Sequence, residues 1–300
     1  MVTRKKFLQQ AGIIATGLMV APSLINCRPL TGRKRKVGLQ LYSLRNEITK
    51  DVKGVIGQVA KAGYNEVETY GYSLNDKFWG LTPKEFKDLL QANNLTSYSG
   101  HYNVHQFLGK DKNIDSIREY IDAATVLGQT YVVAPYINDV DRVNADDYKR
   151  IADKLNRAGE LCKSANLKMA YHNHAFEFDP MGGKTGFDIL LAQTDPKLVD
   201  FELDLYWVVR AGKDPLTFFN QHPGRFTMWH VKDMDKSKPE LNTEIGNGTV
   251  DFKIIFNHAE ASGLKQFFVE QENFSDGIDP FVSIAKSSAY VKESGFALIK

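Results

Sequence analysis

What most constrains this chain is an alternation that runs from Val37 onward: eight apolar, strand-like segments, each followed by a helical one. The strand candidates centre on Leu39, Val67, Tyr98, Val132, Met169, Glu202, Met228 and Phe268. Helical periodicity fills the gaps at Asp51–Ala62, Pro83–Asn93, Ile114–Leu127, Asp146–Ala165, Phe187–Gln193, Pro215–Gln221, Phe252–Ser262 and Phe281–Lys292. Boundaries are marked chemically. Thr82-Pro83-Lys84-Glu85 is a capping box with proline at the first helical position, and Gly63, Gly128 and Gly263 stand where helices close. Eight strand–helix units without a second compositional regime predict one α/β domain over residues 37–300, a parallel (β/α)8 barrel. An open doubly wound sheet would place a glycine-rich phosphate turn after its first strand, and Gln40-Leu41-Tyr42-Ser43-Leu44 is not one.

Strand parity then sorts the polar residues. Leu39 and Leu41, Leu203 and Leu205, Trp229 and Val231, Phe267 and Val269 share the outward parity. The inward parity holds Gln40 and Tyr42, Glu66 and Glu68, Glu202 and Asp204, His230 and Lys232, Glu270 and Glu272; His172 and His174 also share one face. Inward polar groups are costly unless they bind one another, water or an ion, so their number argues for a site at the C-terminal mouth. Glu66, Glu68 and Glu202 read as partners in internal salt bridges, and Asp204 could serve a backbone turn instead of a ligand. The separations Glu177 to Asp204 (27 residues), Asp204 to His230 (26) and His230 to Glu270 (40) match one strand–helix unit each, the last with a longer loop. Three carboxylates and one imidazole on consecutive strands suit one divalent ion, Mn²⁺, Mg²⁺ or Co²⁺, with Zn²⁺ also accommodated. The stretch Tyr171-His172-Asn173-His174 by itself suggests a histidine-dominated zinc site; the other three strands favour the carboxylate-rich set.

The first 27 residues read as an export signal: Arg4, Lys5 and Lys6, an apolar stretch from Ala11 to Val20, then Leu24-Ile25-Asn26-Cys27. Thr3-Arg4-Lys5-Lys6-Phe7-Leu8 is similar to a twin-arginine signal, and Cys27 stands where a lipoprotein would carry its lipid. The expectation is an exported, periplasmic protein that meets a membrane only through a lipid anchor at Cys27. A basic linker follows over residues 28–36. Removing the three basic residues of the signal takes the formal charge from +2 to −1, which leaves no electrostatic footprint for nucleic acid. Only Cys27 and Cys162 are present, so no disulfide framework is available to a processed chain, and Cys162 reads as a buried inert thiol in a helix.

Taken together, Gly38-Leu39-Gln40-Leu41-Tyr42-Ser43-Leu44, Gly63-Tyr64-Asn65-Glu66-Val67-Glu68, Tyr171-His172-Asn173-His174, Asp204-Leu205-Tyr206-Trp207, Trp229-His230-Val231-Lys232-Asp233, Gly246-Asn247-Gly248-Thr249-Val250-Asp251-Phe252 and Glu270-Gln271-Glu272 resemble the xylose-isomerase-like TIM barrel family, the sugar phosphate isomerase/epimerase group. The resemblance implies a metal held by Glu177, Asp204, His230 and Glu270, with His172 standing where many relatives have glutamate and Glu177 supplying the carboxylate from just beyond the strand. It implies that Glu177 and Glu270 move a proton beside the carbonyl of a sugar or keto-sugar through an enediolate, and that His101, His172, His174 and Lys232 contact the substrate. The expected activity is isomerase or epimerase; the alternative is a dehydratase or lyase acting on an oxidised sugar or inosose. A metal-free glycoside hydrolase and a non-catalytic sugar-binding protein are the rivals from other classes.

Overall fold

The structure, a computed structural model, describes residues 35–274 and 277–298. The expected export segment and nearly all of the basic linker lie outside the described residues. Eight parallel strands form a closed barrel: β1 (Gly38–Gln40), β2 (Glu66–Thr69), β3 (Thr96–His101), β4 (Tyr131–Ala134), β5 (Lys168–His172), β6 (Val199–Asp204), β7 (Met228–Val231) and β8 (Gln266–Val269). Each expected strand centre falls inside one of them. Closure between β1 and β8 pairs Gly38 with Phe268, and only glycine fits there: a Cβ on Gly38 would sit 2.4 Å from the Phe268 ring. The open-sheet alternative is thereby excluded.

The outward parity builds the core between barrel and helices. Leu39, Leu203, Trp229, Val231, Phe267 and Val269 are all fully buried among helix residues such as Ile56, Leu155, Phe219 and Ile255. At about 25 cal/mol per Å² of apolar surface, this layer is the main source of stability, since Cys162 is buried and unpaired and its thiol is pushed up to about 12 by burial. Helix ends follow the local chemistry. Thr82 and Glu85 close the capping box, with the Thr82 amide donating to Glu85 Oε2 at 2.8 Å. Gly128 and Gly263 end their helices at φ 79° and 85°, in the left-handed region that costs glycine little.

Three expectations need correction. Leu205 does not continue β6; it opens a helix, Leu205–Arg210, because the Asp204 carboxylate accepts from the Trp207 amide at 3.1 Å and caps it. Tyr42 does not point into the barrel, because the chain leaves β1 at Gln40 into a 3₁₀ turn, Leu41–Leu44, and the tyrosine is 39% exposed. The helix expected over Phe252–Ser262 is two pieces, Phe252–Phe256 and Ala259–Ser262, separated at Asn257 and His258.

Candidate metal and active site

The mouth at the C-terminal ends of β5 to β8 gathers the chemistry. Four side chains bring one donor atom each within 4.8 Å of one another: His172 from the end of β5, Asp204 from the end of β6, His230 from β7 and Glu270 just past β8. All four are buried. His230 Nδ1 lies 3.1 Å from Glu270 Oε2 and 3.1 Å from His172 Nε2, and Asp204 Oδ2 lies 3.5 Å from His172 Nε2. Register explains the convergence, since Asp204 pairs with His230 in the sheet and Glu202 pairs with His172.

Asp204 divides its labour. One oxygen caps the following helix, while the other, Oδ2, is buried and accepts no hydrogen bond from the described residues. The strand-end loop supports this aim, because Asn173, fully buried, accepts from the Asp204 amide through Oδ1 at 3.0 Å. A buried carboxylate oxygen without a donor is expensive unless something positive meets it. Lys232, also fully buried, answers only in part. Its Nζ lies 3.6 Å from Asp204 and 3.0 Å from Glu270, and it also binds Glu272. Burial opposes the lysine's charge, but Glu270, Asp204 and Glu272 outweigh burial and hold it protonated. Burial likewise opposes ionisation of Glu270, yet Lys232 and His230 keep it well below the usual carboxylate range. Two imidazoles and two carboxylates in mutual reach, one oxygen without a donor, fit a divalent cation.

Beneath this set lies a second polar layer. His230 Nε2 lies 2.7 Å from Glu68 Oε2, and His101 Nε2 lies 2.7 Å from Glu202 Oε2 and 3.3 Å from Glu68. The His101 and His230 rings stack at 5.1 Å with 17° between their planes. Burial works against charge on His230, but Glu202, Glu270 and Glu68 hold it above the usual imidazole range. Burial, then the charge of Glu68, pushes Glu202 up to about 7. Glu66, by contrast, sits at the opposite end of the barrel with Lys36 at 3.6 Å, a structural pair as expected.

The structure brings together Asp204, His230, Glu270, Lys232, His172 and His174, and it separates Glu177 from them. The chain turns after His172 into a 3₁₀ turn, Phe176–Phe178, that carries Glu177 to the outer face of β5. There it accepts from the Tyr171 hydroxyl at 2.5 Å and from the His174 amide at 2.9 Å. Tyr171 has outward parity, so its partner cannot also reach the barrel axis. The expectation that Glu177 is a ligand and a base is corrected by this geometry: His172 stands at the β5 corner of the donor set. His101 ends β3 and is partly exposed, with its Nε2 held by Glu202 and Glu68. His174 stays at the mouth, its ring 5.0 Å from His172 and 5.5 Å from Trp207, with Nδ1 buried and unpartnered. Burial, then the neighbouring His172, lowers His174 well below the ordinary imidazole range, so it is neutral at pH 7. Sequence reasoning gave Glu68 and Glu202 too small a part; their inward parity beside two histidines was the available signal.

A sequence profile described as xylose isomerase-like TIM barrel matches residues 56–294. Among solved structures, a sugar phosphate isomerase/epimerase from Parabacteroides distasonis superposes with a TM-score of 0.76 at 29% identity, covering 88% of this chain and 96% of that one. A second from the same organism gives 0.75 at 27%, covering 88% and 99%. Among curated proteins, the inosose dehydratase of Geobacillus thermodenitrificans is 28% identical over 172 residues, 50% of this chain and 55% of that protein. That of Lactiplantibacillus plantarum is 29% identical over 196 residues, 57% and 63%. The chain thus spans a little over half the length of the curated relatives it matches. With the profile covering most of the barrel and the closed eight-stranded sheet, this chain belongs to the xylose isomerase-like TIM barrel family.

Proposed function

We propose that the chain is a divalent-metal-dependent lyase that removes water from a keto-sugar or keto-cyclitol. The observation that carries this reading is the buried His172, Asp204, His230, Glu270 set with its unpartnered Asp204 oxygen. The inosose dehydratases among its relatives support the choice of dehydration over simple proton return. His172, Asp204, His230 and Glu270 would hold the ion. Two imidazole nitrogens and two carboxylate oxygens suit Zn²⁺, Co²⁺ or Mn²⁺ better than Mg²⁺. When bound, the ion supplies Lewis-acid polarisation of the substrate carbonyl, which acidifies the adjacent C–H.

The chain's own residues would do the rest. His174, neutral and with a free Nδ1, takes the proton from the carbon beside the carbonyl. The released electron pair forms the C=C bond as the C–O bond at the next carbon breaks. Lys232, held charged among carboxylates, gives the departing hydroxyl a proton, so that water and an unsaturated ketone are the products. Trp207 beside His174 offers an aromatic face to the sugar. Export and periplasmic location remain part of the proposal; among the described residues no helix is long and apolar enough to cross a membrane.

Isomerase or epimerase activity is the second reading, favoured by the Parabacteroides distasonis structures. Epimerisation calls for matched proton acceptors on opposite faces of one carbon. The mouth instead pairs an imidazole on the β5 side with a lysine and carboxylates on the β7–β8 side.

The test pairs metal analysis with two spectroscopic readouts on an inosose and a panel of keto-hexoses. Solvent deuterium uptake beside the carbonyl is followed by proton NMR, and conjugated product by ultraviolet absorbance. Metal-loaded protein should show both, and a chelator or Asp204→Asn should reduce each by about 100-fold or more. Deuterium uptake with epimer or isomer and no absorbance would select the second reading. Undiminished uptake by metal-free protein would overturn both.

A further inference from the structure

The barrel holds two overlapping donor sets. The outer is His172, Asp204, His230 and Glu270; the inner is His101, His172, Glu202 and His230, its atoms also within 4.8 Å of one another. Burial alone does not choose between them, because Glu202 Oε1 in the inner set lacks a partner just as Asp204 Oδ2 does in the outer. The choice falls on His230, whose two ring nitrogens face different sets. Nδ1 faces Glu270 at 3.1 Å and Asp204 at 3.8 Å, while Nε2 faces Glu202 at 3.4 Å and Glu68 at 2.7 Å.

Glu68 is fully buried and held from several strands. Its Oε2 accepts from Gln40 Nε2 of β1 at 2.8 Å, and its Oε1 accepts from the Ser99 hydroxyl of β3 at 2.6 Å. An acceptor fixed in this way keeps a proton on His230 Nε2, so an ion arriving at Nδ1 displaces only the proton that this nitrogen holds toward Glu270. Using Nε2 in the inner set would strip that nitrogen of its proton and cost Glu68 its contact with His230. Glu202 is engaged as well, since its Oε2 is bonded to His101.

We propose that Glu68 is a positioning residue that assigns the metal to the outer set by fixing the tautomer of His230. This rests on the metal reading above and adds which of two sites is used and why.

Cobalt(II) is the probe, with its dissociation constant from equilibrium dialysis and its visible ligand-field absorption read on the full chain. Glu68→Gln can turn an amide N–H toward Nε2, so it should weaken Co²⁺ binding about 10- to 100-fold and change the ligand-field bands. Glu202→Gln should leave affinity within about twofold and the bands unchanged, whereas Asp204→Asn should abolish them. Should Glu68→Gln not fold, Ser99→Ala loosens the same carboxylate and should weaken binding several-fold. Wild-type affinity and spectrum in the folded Glu68→Gln protein, or in Ser99→Ala where that protein does not fold, would overturn the proposal. So would a loss in Glu202→Gln equal to that in Asp204→Asn, which would put the ion in the inner set. A wild type that takes up no Co²⁺ would instead fail the metal reading itself.

Discussion

Glu177 shows what parity can and cannot read at the scale of one residue. Asp204, His230, Lys232 and Glu270 were legible because each lies on, or one residue past, a strand whose inward phase the flanking apolar residues set. Glu177 has the charge but not the inward phase, and the turn at Phe176–Phe178 sends it outward to Tyr171. No local pattern announces that turn, because His174, Ala175 and Phe176 fit an extended chain equally well. The misplaced carboxylate has its own consequence. Burial pushes Glu177 up to about 7 from an ordinary 4.5, so the folded protein holds this proton more tightly than the unfolded chain does. The stability from this group is therefore complete below about pH 4.5 and is lost as pH rises through about 7, with a ceiling of about 3 kcal/mol. Wild-type protein should lose urea resistance between pH 5.5 and 8, and Glu177→Gln should flatten that slope. Parallel slopes in the two proteins would show that Glu177 does not titrate in this range.

At the scale of elements, the eight strand centres were legible because alternation and glycine closures repeat. The helix after β6 was not, since Leu205 extends the strand's own alternation and only the aspartate three residues before Trp207 signals a cap. The loop after β7 was visible as Gly246-Asn247-Gly248, but its anchor was not. Asp233 accepts four backbone N–H groups: Met234 at 2.9 Å and Val250 at 3.1 Å on one oxygen, Gly246 and Gly248 at 2.9 Å on the other. That arrangement ties the loop to the strand carrying His230 and Lys232. Asp233→Ala would leave all four donors without their acceptor, a loss of about 3 to 5 kcal/mol once water relieves part of the penalty. Gly248→Ala should do comparable damage by another route, because its Cβ would fall 2.2 Å from both Asp233 Oδ1 and the Met234 carbonyl. Both variants should lose denaturant resistance and become cleavable within residues 242–250 under limited proteolysis. An Asp233→Ala protein as resistant as wild type would mean that the loop holds itself.

For the whole molecule, the two ends of the barrel are built on opposite principles. The N-terminal end satisfies its charges internally: Asp200 accepts from the Tyr131 hydroxyl at 2.6 Å and pairs with Lys168 at 3.1 Å, and Glu66 pairs with Lys36. The mouth carries Asp204, Glu270 and Glu272 around one lysine, an arrangement that stability alone does not favour. An ion bound there would join β5, β6, β7 and β8, half of the barrel's staves, and would stabilise the native state by mass action. At a free metal concentration about 100 times the dissociation constant the gain is about 2.7 kcal/mol, or roughly 5 to 8 °C in thermal midpoint for a domain of this size. Asp204→Asn sharpens the expectation. Its amide oxygen can still cap the helix at Trp207, while the buried charge that lacks a donor is gone. Metal-free Asp204→Asn should therefore melt at or above the temperature of metal-free wild type, yet gain nothing from Zn²⁺ or Co²⁺. Thermal scans of both proteins, with chelator and with saturating metal, separate the two effects. A variant that keeps the full metal-dependent rise would place the ion away from Asp204, and a variant that melts well below metal-free wild type would make the aspartate a structural residue first.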